Sequence, residues 1–192
     1  MTQQTENLQF PLLGSALYDA VNTQVKELTR RYQNHMACKE GCHQCCLSGF
    51  KVTYVEALNV FQAFAQLPPK QAEVLMAQLS EVGRLNCPLL LEGSCSVYGA
   101  RPVLCRAFGL AVQVDDTVGT CELNFQKFPT EESMTVLTLR PYYDALDDVS
   151  DALWSENPLP VEPVDGLGKK APRLTLQDWL QRLIKASQNK TF

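Results

Sequence analysis

Histidine is almost missing from this chain, with only His35 and His43 in 192 residues. A hydrolytic zinc site built on imidazole is disfavoured by that scarcity. Positive charge is not in excess either: Lys+Arg 17 against Asp+Glu 21 leaves a net charge of −4. Nucleic-acid binding needs clustered basic side chains, so no nucleic-acid partner is expected. No apolar run approaches the roughly 18 residues of a membrane span, so no membrane partner is expected. Residues Met1 to Asn7 carry neither a basic segment nor an apolar one, so no secretory signal is expected and the reading is cytoplasmic. There is no Walker-type loop, no G-x-G-x-x-G, no Ser/His/Asp arrangement, no repeat and no low-complexity run. Cysteine is absent from both ends, with none before Cys38 and none after Cys121.

What the middle holds is cysteine. Cys38, Cys42, Cys45 and Cys46 fall at the spacing C-x3-C-x2-C-C, and Cys87, Cys95, Cys105 and Cys121 follow. Thiolates this dense repel one another unless a cation sits between them or they oxidise. The cytosol keeps thiols reduced and disulfide-dense domains are usually short, so metal binding is the expected outcome. Zinc and iron–sulfur clusters both take four thiolates and both require deprotonated sulfur. Eight cysteines suit two such sites, or one site with spare thiols. Cys45 and Cys46 are adjacent and tend to point different ways, which suggests that one serves the first cluster and the other turns toward the second half. An iron–sulfur cluster is slightly preferred over Zn²⁺, because no histidine joins the set and the leading cysteines have cluster-like spacing. That spacing also occurs in radical S-adenosylmethionine enzymes, but the repeated βα pattern of their barrel is not present.

The rest of the chain reads as one domain over residues 1–192, mainly α with a small β-hairpin region, compact and organised around the cysteine core of 38–121. Residues 1–10 read as frayed. Leu13, Leu17, Val21, Val25, Leu28 and Tyr32 share one face of an N-terminal helix over 11–35 that opens at Pro11. Thr53 and Glu56 have the capping-box form before an apolar helix. Pro68-Pro69 ends that helix and opens the next, with Gly83 as the C′ residue just past its end. Leu89 to Tyr98 reads as a hairpin turning at Glu92-Gly93. Pro102 to Phe108 makes one or two helical turns, and Leu110 to Val114 a small strand with a turn at Asp115-Asp116. Thr130 is a candidate N-cap for a segment to Leu139 that is open between helix and strand. The region 130–192 then carries C-terminal helices from Pro141 and from Thr175, separated by a proline-rich loop over 157–173.

Several residues near the cysteines have two readings. Arg101 and Arg106 flank Cys105 and can neutralise thiolate charge, bind an anion, or simply form ion pairs. His43 reads as solvent-facing or hydrogen-bonding rather than a ligand, and His35 as a helix-end residue. Glu56 is explained by its cap. Tyr54, Tyr98, Tyr142, Tyr143, Trp154 and Trp179 read as core or shell aromatics.

The combined motifs, Cys38-x3-Cys42-x2-Cys45-Cys46, Cys87-Pro88-Leu89-Leu90, Gly93-Ser94-Cys95-Ser96-Val97-Tyr98 and Arg101-Pro102-x2-Cys105-Arg106-x-Phe108, resemble the YkgJ-type cysteine-cluster family. That family is also described as CxxCxxCC zinc- or iron-chelating, and it is known for eight cysteines. All eight have a counterpart here, with a first gap of three residues instead of two. The resemblance implies a bacterial metal-binding protein, structural or regulatory, whose ligands are the eight cysteines. Flagellin lysine N-methylases are similar in the same cysteine pattern, which makes a cluster-dependent protein methylase the alternative. A metal-stapled interaction module for a protein partner is the third reading. No catalytic residue is identified.

Overall fold

The computed structural model of the protein describes residues 11–38, 41–47, 49–81, 86–127, 134–156, 158–159 and 170–189. The expected ends at residues 1–10, the helix end at Gly83, the cap at Thr130 and most of the proline-rich loop lie outside them. The architecture is mainly α, as expected. The helices are α1 (Ser15–Tyr32), α2 (Tyr54–Phe64), α3 (Pro69–Ser80), α4 (Val103–Ala107), α5 (Arg140–Glu156) and α6 (Leu176–Asn189). Short strands staple them: β1 (Lys51–Val52), β2 (Leu90–Leu91), β3 (Ser94–Cys95), β4 (Val112–Val114), β5 (Thr117–Gly119), β6 (Leu137–Thr138) and β7 (Leu174–Thr175).

Local chemistry explains most helix starts. Thr53 and Glu56 form the complete capping box of α2. Pro68 precedes α3 and Pro69 opens it, where a missing N–H costs nothing. The α6 cap forms as expected, with the Asp178 N–H donating to Thr175 Oγ1 at 3.2 Å. α1 corrects the expectation: it begins at Ser15, not Pro11. Gly14 takes a left-handed conformation with φ 73°, and the Ser15 N–H bonds the Leu12 carbonyl, so a tight turn precedes the first helical residue. α1 also ends at Tyr32, and Gln33–His35 form a separate 3-10 turn.

The small sheets reach further than the sequence suggested. The β2–β3 hairpin pairs Leu90 with Cys95 and turns at Glu92-Gly93, as expected. Glu92 and Gly93 both have positive φ, the conformation that matches the right-handed twist of a two-residue hairpin. β4 and β5 form the second hairpin across Asp115-Asp116. The segment before α5 resolves as strand: β6 lies parallel to β4, pairing Gln113 with Thr138. β1 pairs antiparallel with β7, joining Lys51 to Thr175.

Two apolar clusters meet at α2. One gathers Ala57, Val60, Ala63 and Phe64 of α2 with Leu75, Leu79, Trp154, Trp179 and Leu180. The other gathers Val55 with Tyr18, Val21, Val103, Leu110, Leu139 and Leu146. Tyr18, which the expected α1 stripe left out, is buried in it. Trp179 is wholly buried, packs against Tyr54 and Trp154 at 5.1 and 5.9 Å between ring centroids, and donates its indole N–H to the Val52 carbonyl. Trp179→Phe removes that donor and part of the ring. It is expected to cost about 2 kcal/mol in guanidinium denaturation, with the midpoint and not the slope changing.

Candidate metal centre

The first cysteine loop is fixed by backbone. The Cys46 N–H bonds the His43 carbonyl at 2.8 Å, which closes a 3-10 turn over Gln44–Leu47. The Cys46 carbonyl then accepts the Cys87 N–H at 2.7 Å, pinning the start of the second cysteine region to the first. From Cys87 the chain turns into the hairpin through Leu90 N–H to the Cys87 carbonyl at 3.1 Å. The hairpin tip faces the first loop: a Cβ on Gly93 would stand 3.8 Å from His43 Nδ1. β3 thereby carries Cys95 toward Cys45. His43 itself is exposed, with Nδ1 3.0 Å from the Gly41 carbonyl, which agrees with a hydrogen-bonding role.

Cys105 arrives on α4, whose start is held by a residue 47 positions away. Glu56 Oε1 accepts the Val103 N–H at 2.8 Å, so the carboxylate that caps α2 also caps α4. Cys121 lies in the turn after β5. Glu122 Oε1 in that turn accepts from Gln44 Nε2 at 3.1 Å, tying it to the first loop.

All eight cysteines are free; Cys121 is buried, Cys38 is exposed and the others are half-buried. Electrostatics sorts them into two overlapping sets. Cys45, Cys46, Cys87, Cys95 and Cys105 act on one another. Cys38 feels Cys42, Cys121 and Cys45. Cys45 belongs to both, whereas Cys46 is acted on by Cys87 and Cys95 of the second region.

Every resolved thiol shift is upward, toward the neutral form. Hydrogen bonding to Cys46 and then burial push Cys45 up strongly. For Cys46 the largest single influence, the Cys45 thiol, pulls down. The Cys87 thiol, burial and the charges of Cys87 and Cys95 outweigh it, and Cys46 is pushed up to about 12. Burial raises Cys95, with Arg101 opposing. Burial and the charge of Cys95 put Cys105 well above the ordinary thiol range, again against Arg101. Burial raises Cys38, opposed by a hydrogen bond from Asn124.

The two arginines separate. Arg106 holds backbone: it donates to the Arg101 carbonyl at 2.7 Å, to the Gly99 carbonyl and to Asn22 Oδ1 at 3.0 Å, and lies 4.8 Å over the Tyr18 ring. Arg101 is the cation that faces the sulfurs, stacked 3.4 Å over Tyr98. Tyr98 is a shell aromatic, one of the two positions expected. It is 43% exposed, because its ring lies over the guanidinium instead of in the apolar core.

The donor chemistry fits a soft or borderline cation: all eight thiols are uncombined, Cys45 interacts with Cys38, Cys46, Cys95 and Cys105, and repulsion among them opposes ionising several at once. A bound cation removes that repulsion and displaces the thiol protons. Among the described residues no three His, Cys, Asp or Glu side chains stand in a ligating arrangement, so enclosing an ion requires thiols to turn inward. Sequence reasoning missed Asn124 and Gly109, whose partners lie 15 to 87 residues away and leave no local signal.

Residues 37–130 match the model of the CxxCxxCC zinc- or iron-chelating domain. The matched stretch holds all eight cysteines and a little under half of the chain. No curated protein and no solved structure matches the chain. No described helix is long and apolar enough to cross a membrane.

Proposed function

We propose, from the match of residues 37–130 to the CxxCxxCC chelating domain, that the protein is a cytoplasmic metal-binding protein holding an iron–sulfur cluster, or zinc, on its cysteine thiolates. The observation that carries the reading is the backbone bond from the Cys87 N–H to the Cys46 carbonyl, which joins the two cysteine regions while all eight thiols stay uncombined. Cys45, Cys46, Cys87, Cys95 and Cys105 supply one group of donors, and Cys38, Cys42 and Cys121 the other. Bound zinc would cross-link these stretches, and a bound iron–sulfur cluster would add one-electron chemistry.

The protein's own residues support either group in the same way. The Cys46–Cys87 backbone bond and the hairpin hold the two cysteine regions side by side. Arg101 offsets part of their negative charge, and Glu56 holds the helix that presents Cys105. Pure thiolate supply without histidine favours the iron–sulfur cluster. Anaerobic purification followed by elemental analysis and an absorption spectrum tests this. A brown protein with iron and inorganic sulfide is the expected result. Colourless protein with stoichiometric zinc moves the reading to zinc, and protein without either metal overturns it.

A further inference from the structure

Asn124 is buried at 4% exposure, and its amide oxygen and both amide hydrogens are engaged. Oδ1 accepts the Ala37 N–H at 2.7 Å. Nδ2 donates to the Gly109 carbonyl at 2.6 Å and to Cys38 Sγ at 3.4 Å. The Asn124 backbone N–H bonds the Cys121 carbonyl at 2.9 Å, and the next N–H, of Phe125, bonds the His35 carbonyl at 2.7 Å. One turn therefore grips the chain on both sides of Ala37 and stays joined to Cys121.

Gly109 is the other half of the contact. Its φ of +106° suits glycine, and a Cβ there would stand 2.8 Å from Cys38 Sγ and 3.1 Å from Asn124 Nδ2. No side chain fits between α4 and this sulfur. Cys38, the most exposed of the eight cysteines, thus has its sulfur seated against Gly109 with an amide N–H aimed at it.

We propose that Asn124 is a positioning residue of the metal centre: with Gly109 it seats the Cys38 sulfur and donates an amide hydrogen bond to it as a metal-bound thiolate. The inference rests on the metal-binding reading above. Partners of this kind orient a ligand, and losing one typically weakens metal binding by roughly 10–100-fold. A hydrogen bond to a thiolate also stabilises its lone pairs, so it raises the energy of sulfur-to-metal charge transfer.

Cobalt(II) added anaerobically to the metal-free protein is the probe. Wild type is expected to show thiolate-to-cobalt charge-transfer bands. Asn124→Asp keeps the size and the acceptor for Ala37 but removes the amide donor. It is expected to bind the same number of cobalt ions roughly 10–100-fold more weakly, with the band moved to longer wavelength. A purely structural loss would weaken binding and leave the band in place, and that result overturns the inference. A second measurement needs no variant. In wild type loaded with cadmium-113, the Asn124 side-chain amide proton should show scalar coupling to the metal through the Cys38 sulfur. Cadmium-loaded protein without that coupling overturns the inference alone. Wild type that takes up neither metal on sulfur overturns the metal reading and this inference with it.

Discussion

Cys105→Ser is expected to empty the metal centre in part and to lower the melting temperature of the loaded protein by roughly 10 °C. Metal-binding energy is folding energy when the ligands come from separate stretches of chain, and complete structural sites of this kind contribute about 10–16 kcal/mol. One of four thiolates replaced by a hydroxyl forfeits about 3–4 kcal/mol of that. A chain of this size loses roughly 2–4 °C per kcal/mol. Cys105 is the sharpest choice because α4 is anchored at both ends, by Glu56 at Val103 and by the Phe108 N–H to the Leu104 carbonyl. The backbone offers little freedom for another group to take its place. In metal-free protein the same substitution exchanges one small half-buried side chain for another and should move the melting temperature by less than about 4 °C. Elemental analysis and thermal melts of loaded and metal-free protein, wild type and variant, measure both differences. Unchanged metal content and an unchanged melt in the loaded protein would remove Cys105 from the ligand set.

The parts of this molecule that the sequence announced are those whose cause is local. The α2 capping box is four consecutive residues, the Pro68-Pro69 start of α3 is two, and the Glu92-Gly93 turn sits between the strands it joins. The resemblance to the chelating domain was equally legible, because its motifs are short runs of neighbouring residues, and residues 37–130 match that domain. What stayed hidden is what distant residues do to one another. Lys51 gives no sign that it pairs with Thr175, nor Gln113 that it pairs with Thr138. Directional reasoning about neighbouring cysteines assigned Cys45 and Cys46 to different halves. What the sequence could not supply is the 3-10 turn and the Cys87–Cys46 backbone bond that set this pair beside the second region. Tyr98 reads from the sequence as core or shell, and only the fold decides between them. Arg101, three residues later, captures it at the surface. Asn124 and Glu56 mark the limit most clearly, since each serves a partner that only the fold supplies.

Glu56→Ala is expected to cost about 3–5 kcal/mol, the range for stripping a buried charged hydrogen-bonded group from its partners. The carboxylate is 1% exposed. Oε2 accepts the Thr53 N–H at 2.9 Å and the Thr53 hydroxyl at 3.0 Å, and Oε1 accepts the Val103 N–H at 2.8 Å. Alanine would orphan the donors at the starts of two helices and leave a void between them. Glu56→Gln keeps the volume but turns one acceptor into a donor facing an N–H, so a loss of about 2 kcal/mol is expected at neutral pH. The two variants also differ from wild type in pH dependence. Burial is the largest influence on Glu56 and raises its pKa above the ordinary 4.5, against the backbone bonds from Thr53 and Val103. Below the unfolded value both states carry the proton. As pH rises from there to the folded value, the unfolded state releases the proton while the native state keeps it. The contribution of Glu56 to stability therefore declines across that window and is flat above it. Glutamine has no such proton, so the gap between wild type and Glu56→Gln should narrow as pH rises through the window. Guanidinium denaturation of metal-free protein at a series of pH values from about 4 to 8 reads this without interference from ligation. Parallel curves for the two proteins would place the titration of Glu56 outside that range. Because the same carboxylate holds the α4 start, Glu56→Ala should also reduce metal uptake while leaving every cysteine in place. That separates the scaffold's share of the metal centre from the sulfur's.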